Sequence, residues 1–261
     1  MSLLRLFWVF VKVAVLNELQ YRTNFYIQVV RSAIRLATGL GGLALVYSHT
    51  DTLAGWTGAD LLALLGVYYL VDGVIQLVIA PSMSRLMEDV RQGTLDFALT
   101  KPEDAQVLIS VRQVQIWKLV DVALGVAVLL IGVGQVGREV GALHALAFGA
   151  ALLAGGAIVY SFYLLLATLT FWLVRVENIM VIFQSLYQAG KWPVTIYPRW
   201  MRAMLTFVVP VAFATTVPAE AISGRFTWPS IFGAVALAAI LLAASRLFWN
   251  HGVRRYSGAS A

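Results

Sequence analysis

The chain has 261 residues, 60% of them hydrophobic and only 12% charged, with mean hydropathy +0.81, a formal net charge of +6 and no cysteine. Soluble domains carry about 45–50% apolar and about 25% charged residues, so this composition excludes an ordinary soluble domain and indicates an integral membrane protein. The missing cysteine excludes disulfides, thiol chemistry and Cys-ligated zinc or iron–sulfur sites, and the positive charge reads as a basic cytoplasmic face rather than a nucleic-acid surface, because no block of Lys and Arg interleaved with aromatics occurs.

The N-terminal segment 1–24 is apolar enough to resemble a signal peptide, yet Lys12 and Glu18 interrupt it and no small-x-small cleavage site follows. It reads as a helix over 3–22 at the inner membrane surface; a plain extension of the first span is the alternative. A spanning helix needs about 20 mostly apolar residues. Six stretches meet this, at 25–47, 59–80, 116–136, 145–172, 177–195 and 228–250. The expected fold is therefore all-α, a single transmembrane domain over 1–261.

In the first span Arg31 and Arg35 share a helical face. At 1.5 Å per residue they lie roughly 10–16 Å deep. Asp72, in the second span, falls at a matching depth, so it is expected to pair with Arg31 or Arg35. Such a pair is either a polar gate below a substrate cavity or a structural tie between spans one and two. Tyr68 and Tyr69 precede it as candidates for lining that cavity.

The stretch "GTLDFALTKPED" at 93–104 interrupts the apolar pattern. Gly93 ends the preceding helix, Thr94 is a candidate N-cap, and Asp96 suits the positive end of a new helix. Leu95 and Leu99 are four apart and share a face. Lys101 suits the helix end, and Pro102 stops it and opens the next, with Glu103 and Asp104 in the first turn. The result is a short transverse helix over 93–102 with Leu95, Phe97 and Leu99 available to a partner. It either takes force from a soluble motor or rests on lipid headgroups.

Further along, Lys118 and Asp121 read as interfacial, and Ala151 and Gly155, four apart, as sites of close helix packing. The fifth span is the least hydrophobic. Gln184, Tyr187 and Gln188 fall on one face, which lipid would penalise, so they either line the cavity or bond between helices. The run 203–222 contains Pro210 and Pro218, each lacking a backbone donor. Residues 200–222 are expected to form a re-entrant hairpin entering from the outer side, shielded by protein or lining a cavity.

Basic residues cluster in the N-terminal segment, the loop after the second span and the C-terminal tail, which puts both termini in the cytoplasm. The same topology leaves Lys191, Arg199, Arg202 and Arg225 outside. Trp56, Trp192, Trp200 and Trp228 fall at the outer boundary, and Trp172 and Trp249 at the inner one, as aromatic belts. The three histidines lie in separate loops or tails, so no metal site is indicated. Glu88–Asp89 and Glu103–Asp104 read as solvated surface, and no cluster suits catalysis.

The stretches "ELQYRTNF" at 18–25, "GTLDFALTKPED" at 93–104, "YPRWMRAMLTFVVPVAFATTVPAEAISG" at 197–224 and "RLFWNHGVRRYSGAS" at 246–260 resemble the membrane subunits of ABC transporters of the ABC-2 type. The resemblance is nearest to a bacterial permease family linked to export of viologens and other drugs. It implies an N-terminal interfacial helix, six spans, a cytoplasmic coupling helix between spans two and three, and a re-entrant element before span six. It implies a dimer with a second copy or a related permease, in the cell's inner or plasma membrane. It also implies a separate ATP-binding subunit, which holds ATP and Mg and meets the coupling helix and Arg22. This chain has no G-x-x-x-x-G-K-[ST] run to cradle phosphates. The expected activity is export of a hydrophobic or amphipathic cargo: a drug, a lipophilic cation or a lipid. The alternative is a signalling or scaffold subunit that moves no solute.

Overall fold

The computed structural model describes residues 22–137, 141–173 and 177–256, together with positions 8, 10, 12, 15 and 16. The interfacial helix expected over 1–24, including the Arg22 side chain, lies outside the described residues except at those isolated positions. Among the described residues the chain is helical, with no strand beyond one isolated bridge between Leu53 and Trp56.

Helix α1 (Arg22–Tyr47) presents nearly its whole circumference to the outside. A turn over 48–57 reverses the chain, using the left-handed residues Ala54 and Gly55. The next helix starts cleanly because Thr57 and Asp60 form a reciprocal capping box. Helix α2 (Gly58–Val74), a π-turn (Ile75–Ile79) and α3 (Ala80–Gln92) form one continuous rod of 35 residues. Pro81 accounts for the irregularity. Its ring removes the donor that would reach the carbonyl of Leu77, and that carbonyl accepts instead from the backbone N–H of Gln115 at 2.8 Å. Ser82 adds bonds to both backbone groups of Gln113. The helix continues past the apolar span expected over 59–80 to Gly93, which closes it at φ 70° as the sequence indicated.

Short helices α4 (Asp96–Leu99) and α5 (Ala105–Ser110) lead to α6 (Leu119–Gln135). α6 packs on α2 with the backbones almost touching. A methyl on Gly66 would lie 2.3 Å from the Leu129 nitrogen, and one on Gly125 would lie 2.3 Å from the Leu70 nitrogen. Small residues permit this approach, which dispersion between helices in lipid requires. α7 (Ala142–Thr168) packs against the last helix. It also meets the 211–222 region, where Ala151 is fully buried and Gly155 faces the Phe213 carbonyl.

The span expected as one helix over 177–195 is broken. It comprises α8 (Glu177–Tyr187), a 3-10 turn (Gln188–Lys191) and a second 3-10 turn (Val194–Ile196). Pro193 forces this: the residue before a proline avoids the helical region, and Trp192 is extended at φ −120°, ψ 148°. Beyond it come α9 (Arg199–Ala203) with a π-turn to Val208, then α10 (Val211–Ala214), α11 (Thr216–Ile222) and α12 (Trp228–Val253). The 199–208 and 211–222 pieces are bent by 70° at Pro210. Pro218 cannot donate to residue 214, and the chain is irregular at Thr215, three residues before it. Among the described residues five helices are long and apolar enough to cross a membrane, or six if the bent pair is one span. The molecule is an all-α, multi-pass membrane protein.

The tryptophans correct the belt reading in part. Trp172, Trp200 and Trp228 are exposed, but Trp56 and Trp249 are buried in the core.

Candidate functional site

Arg35 is ten residues into the apolar stretch that opens at Phe25, about 15 Å along the helix. Its guanidinium reaches Asp72 on α2 at 2.9 Å through Nη1 and Asp121 on α6 at 2.7 Å through Nη2. Lys118 closes the network on Asp121 at 3.2 Å. A planar fork with several donors suits two carboxylates, and pairing of this kind offsets the cost of charges at membrane depth. The expected Asp72 pairing is thus made with Arg35. Arg31 is exposed and forms no ion pair among the described residues.

Asp121 corrects the interfacial reading given to it and to Lys118. Its side chain is 2% exposed. It sits in the first turn of α6, and the glycine-lined contact of α6 with α2 carries it inward to Arg35.

Beside this network lies a cavity of about 270 Å³, lined by Arg35, Tyr68, Asp72, Ile75, Gln76, Tyr163, Gln184, Tyr187, Gln188 and Lys191. Of the five residues expected to line it, Tyr68, Gln184, Tyr187 and Gln188 do so. Tyr69 does not: its hydroxyl donates to the Arg35 carbonyl at 2.7 Å and its ring faces the Arg35 guanidinium. Tyr68 and Tyr187 stack with centroids 5.5 Å apart, and the Lys191 ammonium lies 5.5 Å from the Tyr68 ring centre. Gln76 and Tyr163 were missed. Gln76 had a signal, since it lies one turn beyond Asp72 on the same face. Lys191, expected among outer-loop charges, points into the cavity because the chain breaks at Pro193 just beyond it.

The segment 93–104 differs from expectation in its details. α4 has four residues, shorter than the helix expected over 93–102, and ends before Lys101 and Pro102. Thr94 does not cap it. Its hydroxyl donates to Asp89 at 3.1 Å, and its backbone N–H reaches the Asp89 carbonyl. Leu95 is fully buried and Leu99 half-buried, so the leucine pair faces the protein's own core; Phe97, 75% exposed, is what the segment offers outward. Asp96 does sit in the first turn. The next helix is opened by Asp104, not Pro102.

Two acidic residues expected as solvated surface hold this region together. Asp89 is 2% exposed and binds Arg85 and Arg112. Asp104 accepts from Val107 N–H as N-cap and from Arg246 on α12. The Arg246 hydrogen bond holds the Asp104 carboxyl below the usual carboxylate range. At the other end of the bundle Arg225 pairs with Asp60 at 3.5 Å, bonds the Gly55 carbonyl and covers the Trp56 ring. Arg202 bonds the carbonyls of Val194 and Thr195.

The comparisons with known proteins are consistent with this arrangement. A family model described as an ABC-2 family transporter protein matches residues 33–260. No curated protein and no solved structure matches the chain.

Proposed function

The chain belongs to the ABC-2 family of transporters, and from that premise we propose that it is the permease subunit of an ATP-driven exporter with an amphipathic cargo. Two copies, or one copy and a related permease, form the path in the inner or plasma membrane, with both termini cytoplasmic. ATP and Mg bind the partner subunit, whose movement is passed to the bundle through residues 93–102.

The observation that carries the transport reading is the polar cavity between apolar spans, with Arg35, Asp72, Gln184, Gln188 and Lys191 in its wall. Lipid would exclude these groups, and a purely structural bundle has no need of the space. The motor contact rests on Phe97, a large apolar side chain exposed on the four-residue turn between Gly93 and Lys101. An aromatic anchor of this kind dominates an interface, and its loss costs at least about tenfold in affinity.

The test is reconstitution of the full complex with its ATP-binding subunit. Phe97→Asp is expected to lower both permease-dependent ATP hydrolysis and export by about tenfold while leaving the permease folded. Phe97→Leu, which keeps an apolar side chain, retains most of both. Unchanged hydrolysis and export in Phe97→Asp would remove the coupling role, and hydrolysis without movement of any solute would favour the scaffold alternative.

A further inference from the structure

Lys191 lines more than the polar cavity. A second pocket of about 170 Å³ lies between α1 and α2, lined chiefly by Leu43, Leu61, Leu65 and Trp192, and Lys191 belongs to the walls of both. One compartment is polar and the next apolar, with a single cation at their junction.

The charges are not balanced at that junction. Arg35 is matched by Asp72 and Asp121, and Lys118 shares Asp121. Lys191 forms no ion pair among the described residues; its ammonium rests on the face of Tyr68. In the same wall, the Tyr187 hydroxyl is buried without a hydrogen-bond partner among the described residues. An orphaned buried hydroxyl costs free energy that a ligand acceptor would restore. The side-chain amides of Gln184 and Gln188 add further donors to the same wall.

We propose that the two pockets form one site for an amphipathic molecule with an anionic head. A phosphate or carboxylate sits against Lys191 and Tyr187, and its hydrocarbon chain lies between α1 and α2. This deepens the permease reading and rests on it. Charge-assisted hydrogen bonds to an ammonium are among the stronger ones available. The tail has a route in, because α1 is almost wholly unburied and the apolar pocket opens beneath it. A lipophilic cation fits the site poorly. It would have to displace Lys191 from the Tyr68 face, and the only carboxylate in the wall, Asp72, is already held by Arg35.

The test uses the full chain in nanodiscs of phosphatidylcholine without nucleotide, with empty nanodiscs subtracted. Decyl phosphate, inorganic phosphate and decyltrimethylammonium are titrated against the native chain, Lys191→Gln and Lys191→Arg. Decyl phosphate is expected to bind saturably, about tenfold more weakly to Lys191→Gln and close to native strength to Lys191→Arg. Inorganic phosphate binds far more weakly, and decyltrimethylammonium shows no saturable binding. Equal or tighter binding of decyltrimethylammonium, or a Lys191→Gln variant indistinguishable from native, overturns the anionic head. Inorganic phosphate binding as tightly as decyl phosphate overturns the tail compartment. Because no ATP is hydrolysed, these outcomes are independent of the Phe97 experiment, which tests the permease reading itself.

Discussion

Asp104 has two tasks at one position. As N-cap it accepts from Val107 N–H, and as an anion it clamps Arg246 on the last helix. Asparagine caps a helix about as well as aspartate, so Asp104→Asn separates the tasks. Because the folded carboxyl titrates below its ordinary value of 3.8, the clamp contributes fully at neutral pH and is lost as pH falls below that value. The pair is partly exposed, so its worth is under about 1 kcal/mol. Thermal unfolding in detergent is expected to show Asp104→Asn slightly less stable than native at pH 7, with the two melting temperatures converging as pH falls through the lowered folded-state pKa. A gap that persists in acid would mean the clamp is not what the carboxylate supplies. At this scale the sequence was legible where one helix sufficed. Matching depths predicted Arg31 or Arg35 against Asp72, because each depth follows from counting residues along its own span; the choice of Arg35 was left to the packing. Asp121 and Asp89 were not legible, since their burial depends on which helix packs beside them.

Helix pairs carry the next lesson. Gly155 and Gly156 are neighbours in α7, yet a methyl on Gly155 would lie 2.5 Å from the Phe213 carbonyl while one on Gly156 meets nothing within 4 Å. Both substitutions to alanine bring the same gain in helix propensity, up to about 1 kcal/mol. Gly155→Ala must also push α10 away, and such overpacking costs about 1–3 kcal/mol. Unfolding in detergent is expected to rank Gly156→Ala at or above native and Gly155→Ala below it; the opposite order would show that α7 and α10 are not in contact. The same device joins α2 to α6, where Gly66 and Gly73, and Gly125 and Gly132, recur seven apart, two turns on one face. That spacing was visible in the sequence as a small-residue stripe, but it did not say which helices it joins. Breaks were more legible than lengths. Gly93 and Pro210 end or bend their helices as expected, whereas Pro193 divides a run whose apolar character alone suggested an unbroken span.

Over the whole molecule, lengths and ends constrain how the chain sits in a bilayer. The 35-residue rod from Gly58 to Gln92 is about 52 Å long, against a hydrocarbon core of about 30 Å. It is therefore about 20 Å longer than the core is thick. The bent segment behaves differently. Its pieces, 199–208 and 211–222, are about 15 and 18 Å long, each roughly half a bilayer. Its far end is tied to the α1–α2 turn through Arg225 and Asp60. Just before its near end Trp192 lies beside Leu61, one turn into α2, and Val194 N–H reaches the Thr216 hydroxyl. A re-entrant hairpin, the expected form, returns both its ends to one face of the membrane, whereas a span separates them. The chain contains no cysteine, so single cysteines report position without background. Thr52→Cys, Trp200→Cys and Trp228→Cys, all at exposed residues, are expected to react with a membrane-impermeant maleimide in intact cells, and Lys101→Cys only after permeabilisation. Trp200→Cys reacting with Lys101→Cys instead would make 199–222 a true crossing in place of 177–195, whereas Trp228→Cys reacting with Lys101→Cys would move the C-terminal helix and its arginines to the opposite orientation.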